Sequence, residues 1–312
     1  MSRGASSAII LAGGDGTRLQ PLTRALTGDD RPKQFCAVLG EDTLLDETRR
    51  RVRMLVDPER TLTVVTHAHE RYYRTALAGV RPALVVAQPE SRGTAPAIVY
   101  ALLRLGTIAP NDPVALFPSD HYVSDDRAFM WNVEQALETV EARPHLTVLL
   151  GIAADRPEAE YGWIEPGEPV RGVTAPACDV RRFWEKPDRR VAQALLARGG
   201  LWNSFVIAGY PATLLELVRR AVPALFEAFD SLRPRLATPW EAGAAAALYG
   251  GLPAIDFSKT VLTPSAAALA VLPVTGVEWN DLGDPNRVAA VRRHLEGRLA
   301  PTLPDLAVAS AR

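Results

Sequence analysis

Cysteine is almost missing from this 312-residue chain: Cys36 and Cys178 stand alone, and no CxxC pair occurs. That excludes a disulfide framework and offers no zinc spacing, so both thiols are expected to be buried or incidental. An excess of charge is missing too, because 35 Lys and Arg stand against 36 Asp and Glu, a formal net charge of -1. The basic footprint of a nucleic-acid binder is therefore absent, and any phosphate bound is expected to belong to a small ligand. No apolar run approaches the roughly 20 residues of a membrane span, and the apolar stretch at residues 7–11 is too short for a signal-peptide core. A soluble, cytoplasmic chain is expected. No internal repeat and no hexapeptide periodicity are found, which argues against an appended β-helical domain.

With 47% hydrophobic and 23% charged residues, the chain can bury one large core or two modest ones. Aliphatic runs at 8–11, 61–66, 83–87 and 114–117 read as buried parallel strands. Helical patterns lie between them at 44–55, 68–78, 95–105 and 126–141. This order predicts right-handed βαβ units and a Rossmann-like, doubly wound α/β sheet. Strands at 147–152, 162–164, 180–184 and 203–208, with fewer helices between them, predict a mixed sheet lining one side of a pocket. Helices are expected at 212–221 and 225–232, then a strand at 268–273 and a last helix at 285–295 with Pro285 in its first turn. We expect one domain over residues 1–296, with a nucleotide-binding half to about 145 and a sugar-phosphate-binding half after it. A weakly ordered tail is expected over residues 297–312.

The first strand runs through Leu11 and Ala12 into Gly13-Gly14-Asp15-Gly16-Thr17-Arg18-Leu19, at the carboxyl edge of the sheet, where open α/β proteins bind ligands. Glycines there let backbone N–H groups approach phosphate oxygens, and Arg18 can add a charge-assisted fork. A plain tight turn explains a glycine cluster equally well. GxxxxGK[ST] is absent, and the third glycine of a dinucleotide fingerprint is missing, which places a dehydrogenase well behind. The run continues into Pro21-Leu22-Thr23-Arg24 and Arg31-Pro32-Lys33-Gln34-Phe35. Together these segments resemble the signature of the sugar-1-phosphate nucleotidyltransferases, and the PKQF ending is similar to that of the mannose-1-phosphate guanylyltransferases. The resemblance implies the nucleotide-diphospho-sugar transferase fold, binding of the triphosphate by the residues from Leu11 to Thr17, and charge compensation by Arg18 and Lys33. Residues 25–31 are an insertion against that pattern.

Other segments follow in the same order. Gln88-Pro89-Glu90-Ser91-Arg92-Gly93-Thr94-Ala95-Pro96-Ala97 resembles the guanylyltransferases' R-N-T-A-P-A stretch, with Gly93 in place of Asn; this implies purine contacts from Gln88, Arg92 and Thr94. A structural account also exists, with Thr94 as helix N-cap and Pro96 in the first turn. Pro118-Ser119-Asp120-His121 ends a strand, where a lone Asp suits a hard cation. It is similar to the family's P-[AS]-D-H, and Trp279-Asn280-Asp281-Leu282-Gly283 to its W-x-D-x-G, which implies Mg²⁺ held by Asp120 and Asp281. A Ser-His-Asp relay from Ser119, His121 and Asp120 is excluded, because adjacent residues of an extended chain face opposite ways.

Tyr161-Gly162-Trp163-Ile164-Glu165 and Phe183-Trp184-Glu185-Lys186-Pro187 look like the family's YGYIE and F-x-EKP, which implies sugar contacts from Gly162 and Glu185 and 1-phosphate binding by Lys186. Trp202-Asn203-Ser204 is similar to W-N-[ST]-G, which implies a sugar contact from Asn203, with Phe205 where a Gly is usual. The resemblance spans residues 8–293. It implies GMP transfer from GTP to α-D-mannose 1-phosphate with release of pyrophosphate. Catalytic roles fall to Arg18, Lys33, Asp120 and Lys186. The partners are small molecules, with neither nucleic acid nor membrane, and a homodimer is the assembly considered. Two other readings stand beside it: the same transfer with another NTP or sugar phosphate such as glucose 1-phosphate, and a non-catalytic nucleotide-sugar sensor.

Overall fold

The computed structural model describes residues 5–299. Strands β1 (Ser7–Leu11), β2 (Thr61–Thr66), β3 (Val85–Gln88) and β4 (Val114–Pro118) form the parallel part of a nine-stranded sheet. Helices α1 (Gln20–Thr27), α2 (Leu44–Val52), α3 (Glu70–Ala76) and α4 (Thr94–Leu105) lie between them in sequence. A two-residue strand β5 (Tyr122–Val123) and helix α5 (Asp126–Ala142) lead to the second half. There β6 (Thr147–Ala153), β7 (Gly162–Pro169), β8 (Cys178–Glu185), α6 (Arg189–Ala197) and β9 (Leu201–Gly209) follow in turn. Helices α7 (Pro211–Ala221), α8 (Pro223–Asp230) and α9 (Glu241–Tyr249), strands β10 (Leu269–Val274) and β11 (Trp279–Asn280), and α10 (Pro285–Leu299) complete the chain.

The sheet order is β3-β2-β1-β4-β9-β6-β10-β8-β7, parallel from β3 to β4 and mixed beyond. Adjacent residues of β1 supply opposite faces: Ile9 enters one core with Leu116 and Tyr249, while Ala8 and Ile10 enter the other with Phe117 and Phe129. Burying each Ile contributes about 1.5–3 kcal/mol. Because β2 and β4 flank β1, the chain winds away from β1 in both directions, and a crevice opens beyond the carboxyl ends of β1 and β4. Leu11 pairs with Pro118 there, which sets the glycine run beside Asp120. A third cluster of Leu19, Cys36, Leu44, Leu282 and Val288 ties the first loop to α10.

The Rossmann-like mixed sheet is the expected one, and several local readings need correction. The stretch after the glycine run, for which no helix was expected, forms α1, ended by Gly28 at φ 79°. The insertion supplies the end of α1 and then a tight turn, in which Asp29 accepts from Thr27 and Arg31 and its carboxyl is held down to about 2, mainly by the Arg31 hydrogen bond. Helices α6 and α9 were not anticipated. Strand β3 starts at Val85, because Pro82–Leu84 forms a tight helical turn. Helix α10 continues through residues 297–299, expected to belong to the tail, and the rest of that tail lies outside the described residues. Among the described residues no helix is long and apolar enough to cross a membrane.

Candidate active site

The glycine run is shaped by what touches it. A Cβ on Gly13 would lie 2.5 Å from Gln88 Nε2 and 3.0 Å from Thr66 Oγ1, so only glycine lets β2 and β3 close on the loop here. Thr66 Oγ1 donates to the Gly13 carbonyl (2.8 Å). Gln34 Nε2 donates to the carbonyls of Ala12 (3.0 Å) and Gly14 (2.8 Å), a clip to which sequence reasoning assigned no role although it adjoins Lys33. Gly16 takes φ 61°, and Thr17 and the exposed Arg18 follow. Arg18 pairs with Glu160 at 3.5 Å, a contact worth little at that exposure.

Asp120 and Asp281 meet because of the smallest strands in the molecule. β5 begins two residues after Asp120, β11 ends one residue before Asp281, and the two pair antiparallel with Tyr122 opposite Asn280. Lys33 links Asp120 to the backbone around Asp281: its Nζ is 3.4 Å from Asp120 Oδ2 and donates to the carbonyls of Leu282 (3.1 Å) and Asp281. Asp281 Oδ1 accepts from the Gly283 N–H (2.9 Å) and from Arg287 Nη1 (2.8 Å), while Oδ2 fills the space in front of Gly283, where a Cβ would come within 2.7 Å of it. Arg287 also reaches Glu158 (3.1 Å) and Asp284 (3.2 Å) and lies over the Tyr161 ring. Burial pushes the Asp281 carboxyl up, but His121, Arg287 and Lys33 outweigh it, and the group ends below its ordinary range. Burial drives the His121 imidazole down to about 4, so it is neutral at pH 7 and charged only in the acid range where the Asp281 carboxyl titrates.

Arg287 was missed in the sequence. A signal existed: a basic residue in the first turn of a helix opposes the helix dipole, and the three carboxylates around this one explain it. Two carboxylates joined by phosphate oxygens and water are what a magnesium ion takes, so Asp120 and Asp281 fit it. Among the described residues no group of three or more His, Cys, Asp or Glu is arranged as an all-protein metal cage.

Two hollows share Asp120, His121 and Asp281. The smaller, of about 320 Å³, is lined by Gly16, Thr17, Arg18 and Lys33. The other, of about 330 Å³, takes in Leu11, Gly13, Gly14, Gln88 and Thr94 on one side and Gly162, Glu185 and Asn203 on the other. Gln88 Oε1 accepts from the Tyr249 hydroxyl (3.1 Å), which leaves its amide N–H groups toward the loop; nothing in the sequence singled out Tyr249. Gly162 pairs with Glu185, and its missing side chain makes room for Glu185 Oε2 and Asn203. Burial raises the Glu185 carboxyl.

Ala12 is buried behind the loop rather than lining either hollow. Arg92 pairs with Glu90 at 2.9 Å, and Lys186 is exposed at φ 47°; neither lines a hollow. Thr94 is not the N-cap of α4. That position is Gly93, whose φ 83° and ψ -177° only glycine adopts readily, and a Cβ there would meet the Ile255 carbonyl at 2.4 Å. The Asn of the family pattern has no room in this geometry. Thr94 Oγ1 accepts instead from the Phe257 N–H (2.8 Å), so the segment at 255–257 serves to brace this loop. Of the four non-glycine residues with positive φ among those described, Lys186, Phe205 and Leu282 fall in the site motifs. Strain gathered in this way is characteristic of functional sites.

A doubly wound sheet thus carries a glycine loop, a buried lysine and the two carboxylates Asp120 and Asp281 around shared hollows at its switch point. The chain belongs to the nucleotidyl transferase family, whose profile matches residues 7–297. It is 34% identical over 287 residues to the xanthan biosynthesis protein XanB of Xanthomonas campestris pv. campestris, covering 88% of this chain and 57% of that protein. It is 33% identical over 228 residues to the mannose-1-phosphate guanylyltransferase of Escherichia coli K12, covering 71% of this chain and 46% of that one. The chain thus spans about half the length of these relatives. A crystal structure titled mannose-1-phosphate geranyltransferase, from Thermus thermophilus, superposes with a TM-score of 0.77 at 33% identity, covering 90% of this chain and 77% of that one.

Proposed function

We infer that the chain transfers GMP from GTP to α-D-mannose 1-phosphate, giving GDP-mannose and pyrophosphate in the cytoplasm. The observation carrying this reading is the junction of the two hollows at Asp120 and Asp281. One hollow suits a triphosphate, through Gly16, Thr17, Arg18 and Lys33. The other offers polar groups for a base at Gln88 and Thr94 and for a hexose at Gly162, Glu185 and Asn203, so residues 1–145 and 146–296 would hold the two substrates. Relatives named for mannose 1-phosphate and for polysaccharide biosynthesis favour this substrate pair.

A 1-phosphate oxygen forms a bond to the α-phosphorus as the bond to the β-phosphate oxygen breaks, in line, and pyrophosphate leaves. No side chain needs to act as nucleophile. Lys33 and Arg18 compensate charge on the triphosphate, and Lys186, next to Glu185 in the chain, would meet the sugar phosphate through its flexible ammonium. Well-placed charges of this kind supply several kcal/mol of transition-state stabilisation. Magnesium held by Asp120 and Asp281 would, when bound, neutralise charge on the reacting phosphates.

The test is pyrophosphate release with each common NTP against mannose 1-phosphate and glucose 1-phosphate, with Mg²⁺ and with chelator. Activity with GTP and mannose 1-phosphate alone is expected. Another preferred pair would keep the mechanism and overturn the substrates. Silence with every pair would favour a nucleotide-sugar sensor.

A further inference from the structure

We propose that Phe205 is a specificity-determining wall of the hexose subsite, which limits this chain to unenlarged hexose 1-phosphates. The inference rests on the proposed function and deepens it.

Strand β9 is irregular where it passes the cleft. Leu149 pairs with Ile207 and Gly151 with Asn203, so residues 204–206 all stand opposite Leu150. Such a bulge bends a strand and redirects a side chain. At its centre Phe205 takes φ 61°, a left-handed conformation that strains a non-glycine residue. Two side chains hold it there. Ser204, fully buried, donates to the Leu150 carbonyl (2.7 Å) and accepts from the Val206 N–H (3.1 Å). Asn203 Oδ1 accepts from the Phe205 N–H itself (3.0 Å).

The bulge therefore has two products at the cleft. With its oxygen engaged by the backbone, Asn203 presents amide N–H groups as donors toward the space it shares with Glu185. Two residues further, half-buried Phe205 lines the same hollow and packs in part against the core that holds Phe183 and Phe257. Glycine would adopt this backbone without strain and would leave the space open. A ring retained in a glycine-favouring conformation, beside a polar subsite, occupies volume that a substituent on the sugar would otherwise take.

The test compares wild type with Phe205→Gly and Phe205→Asn, since Asn also tolerates the left-handed conformation. The readout is kcat/KM with GTP for mannose 1-phosphate and for analogues bearing an added acetyl or acetamido group at carbon 2, 4 or 6. One methylene in a pocket changes discrimination by about 10–200-fold. Both variants are expected to raise the analogue-to-parent ratio at least about tenfold for one analogue or more. A purely structural role moves thermal stability and leaves the ratio alone. An active wild type whose ratio is unchanged in both folded variants overturns this inference and spares the proposed function. A wild type silent with every nucleotide and sugar phosphate overturns both.

Discussion

Replacing Arg287 tests the electrostatics of the site most directly. Its side chain is 11% exposed and pairs with three carboxylates, Asp281, Glu158 and Asp284. Removing one partner of a fully buried pair costs about 3–5 kcal/mol. The partial exposure of all four groups reduces this, so Arg287→Ala is expected to lose about 2–3 kcal/mol, or about 3–5 °C in Tm for a chain of this size. The Asp281 carboxyl should rise, because Arg287 is one of the cations holding it down. Lacking that donor, Oδ1 keeps only the Gly283 N–H and is held less firmly. The Mg²⁺ concentration for half-maximal turnover should therefore increase. Arg287→Lys keeps the charge but not the planar fork, and should fall between. Thermal unfolding and a Mg²⁺ titration of pyrophosphate release read the two effects. A Tm within about 1 °C of wild type together with an unchanged Mg²⁺ dependence would refute the reasoning.

Asp120→Asn should abolish turnover while leaving the fold intact, and Lys186→Ala should chiefly raise KM for the sugar phosphate; near wild-type turnover of Asp120→Asn at low Mg²⁺ would sink the metal assignment. Gly93→Ala should cost about 3 kcal/mol by forcing an L side chain against the Ile255 carbonyl, which thermal unfolding measures. His121, lowered from 6.5 to about 4, contributes stability that is fully present above about pH 6.5 and is lost as pH falls toward 4. At pH 5 that loss is about 2 kcal/mol in metal-free protein. Denaturant unfolding at pH 7 and pH 5 should show it, and His121→Gln should flatten the difference; an equal pH dependence in the variant would contradict it.

The parallel half of the sheet was legible because continuous aliphatic runs such as 61–66 and 114–117 are buried on both faces, the strongest signal a short strand carries. Helix α9, Glu241–Tyr249, escaped because its Ala-rich sequence has little periodicity. Strands β5 and β11 escaped because two residues show no pattern at all.

Those two short strands decide the site. Residue types and strand ends placed Gly13, Asp120 and Gln88 at one edge, since the carboxyl edge of a parallel sheet follows from local alternation and connection handedness. The resemblance named Asp281 beside Asp120, but what brings their segments together, which cation orients Asp281 and what fixes the backbone after Asn203 depend on pairings between segments far apart in sequence: Tyr122 with Asn280, Arg287 with Glu158, Ser204 with Leu150. Phe205 shows the division well. Its departure from the family pattern was visible in the sequence, whereas its left-handed backbone and its place in the cleft follow from a bulge that exists only once β6 and β9 are paired.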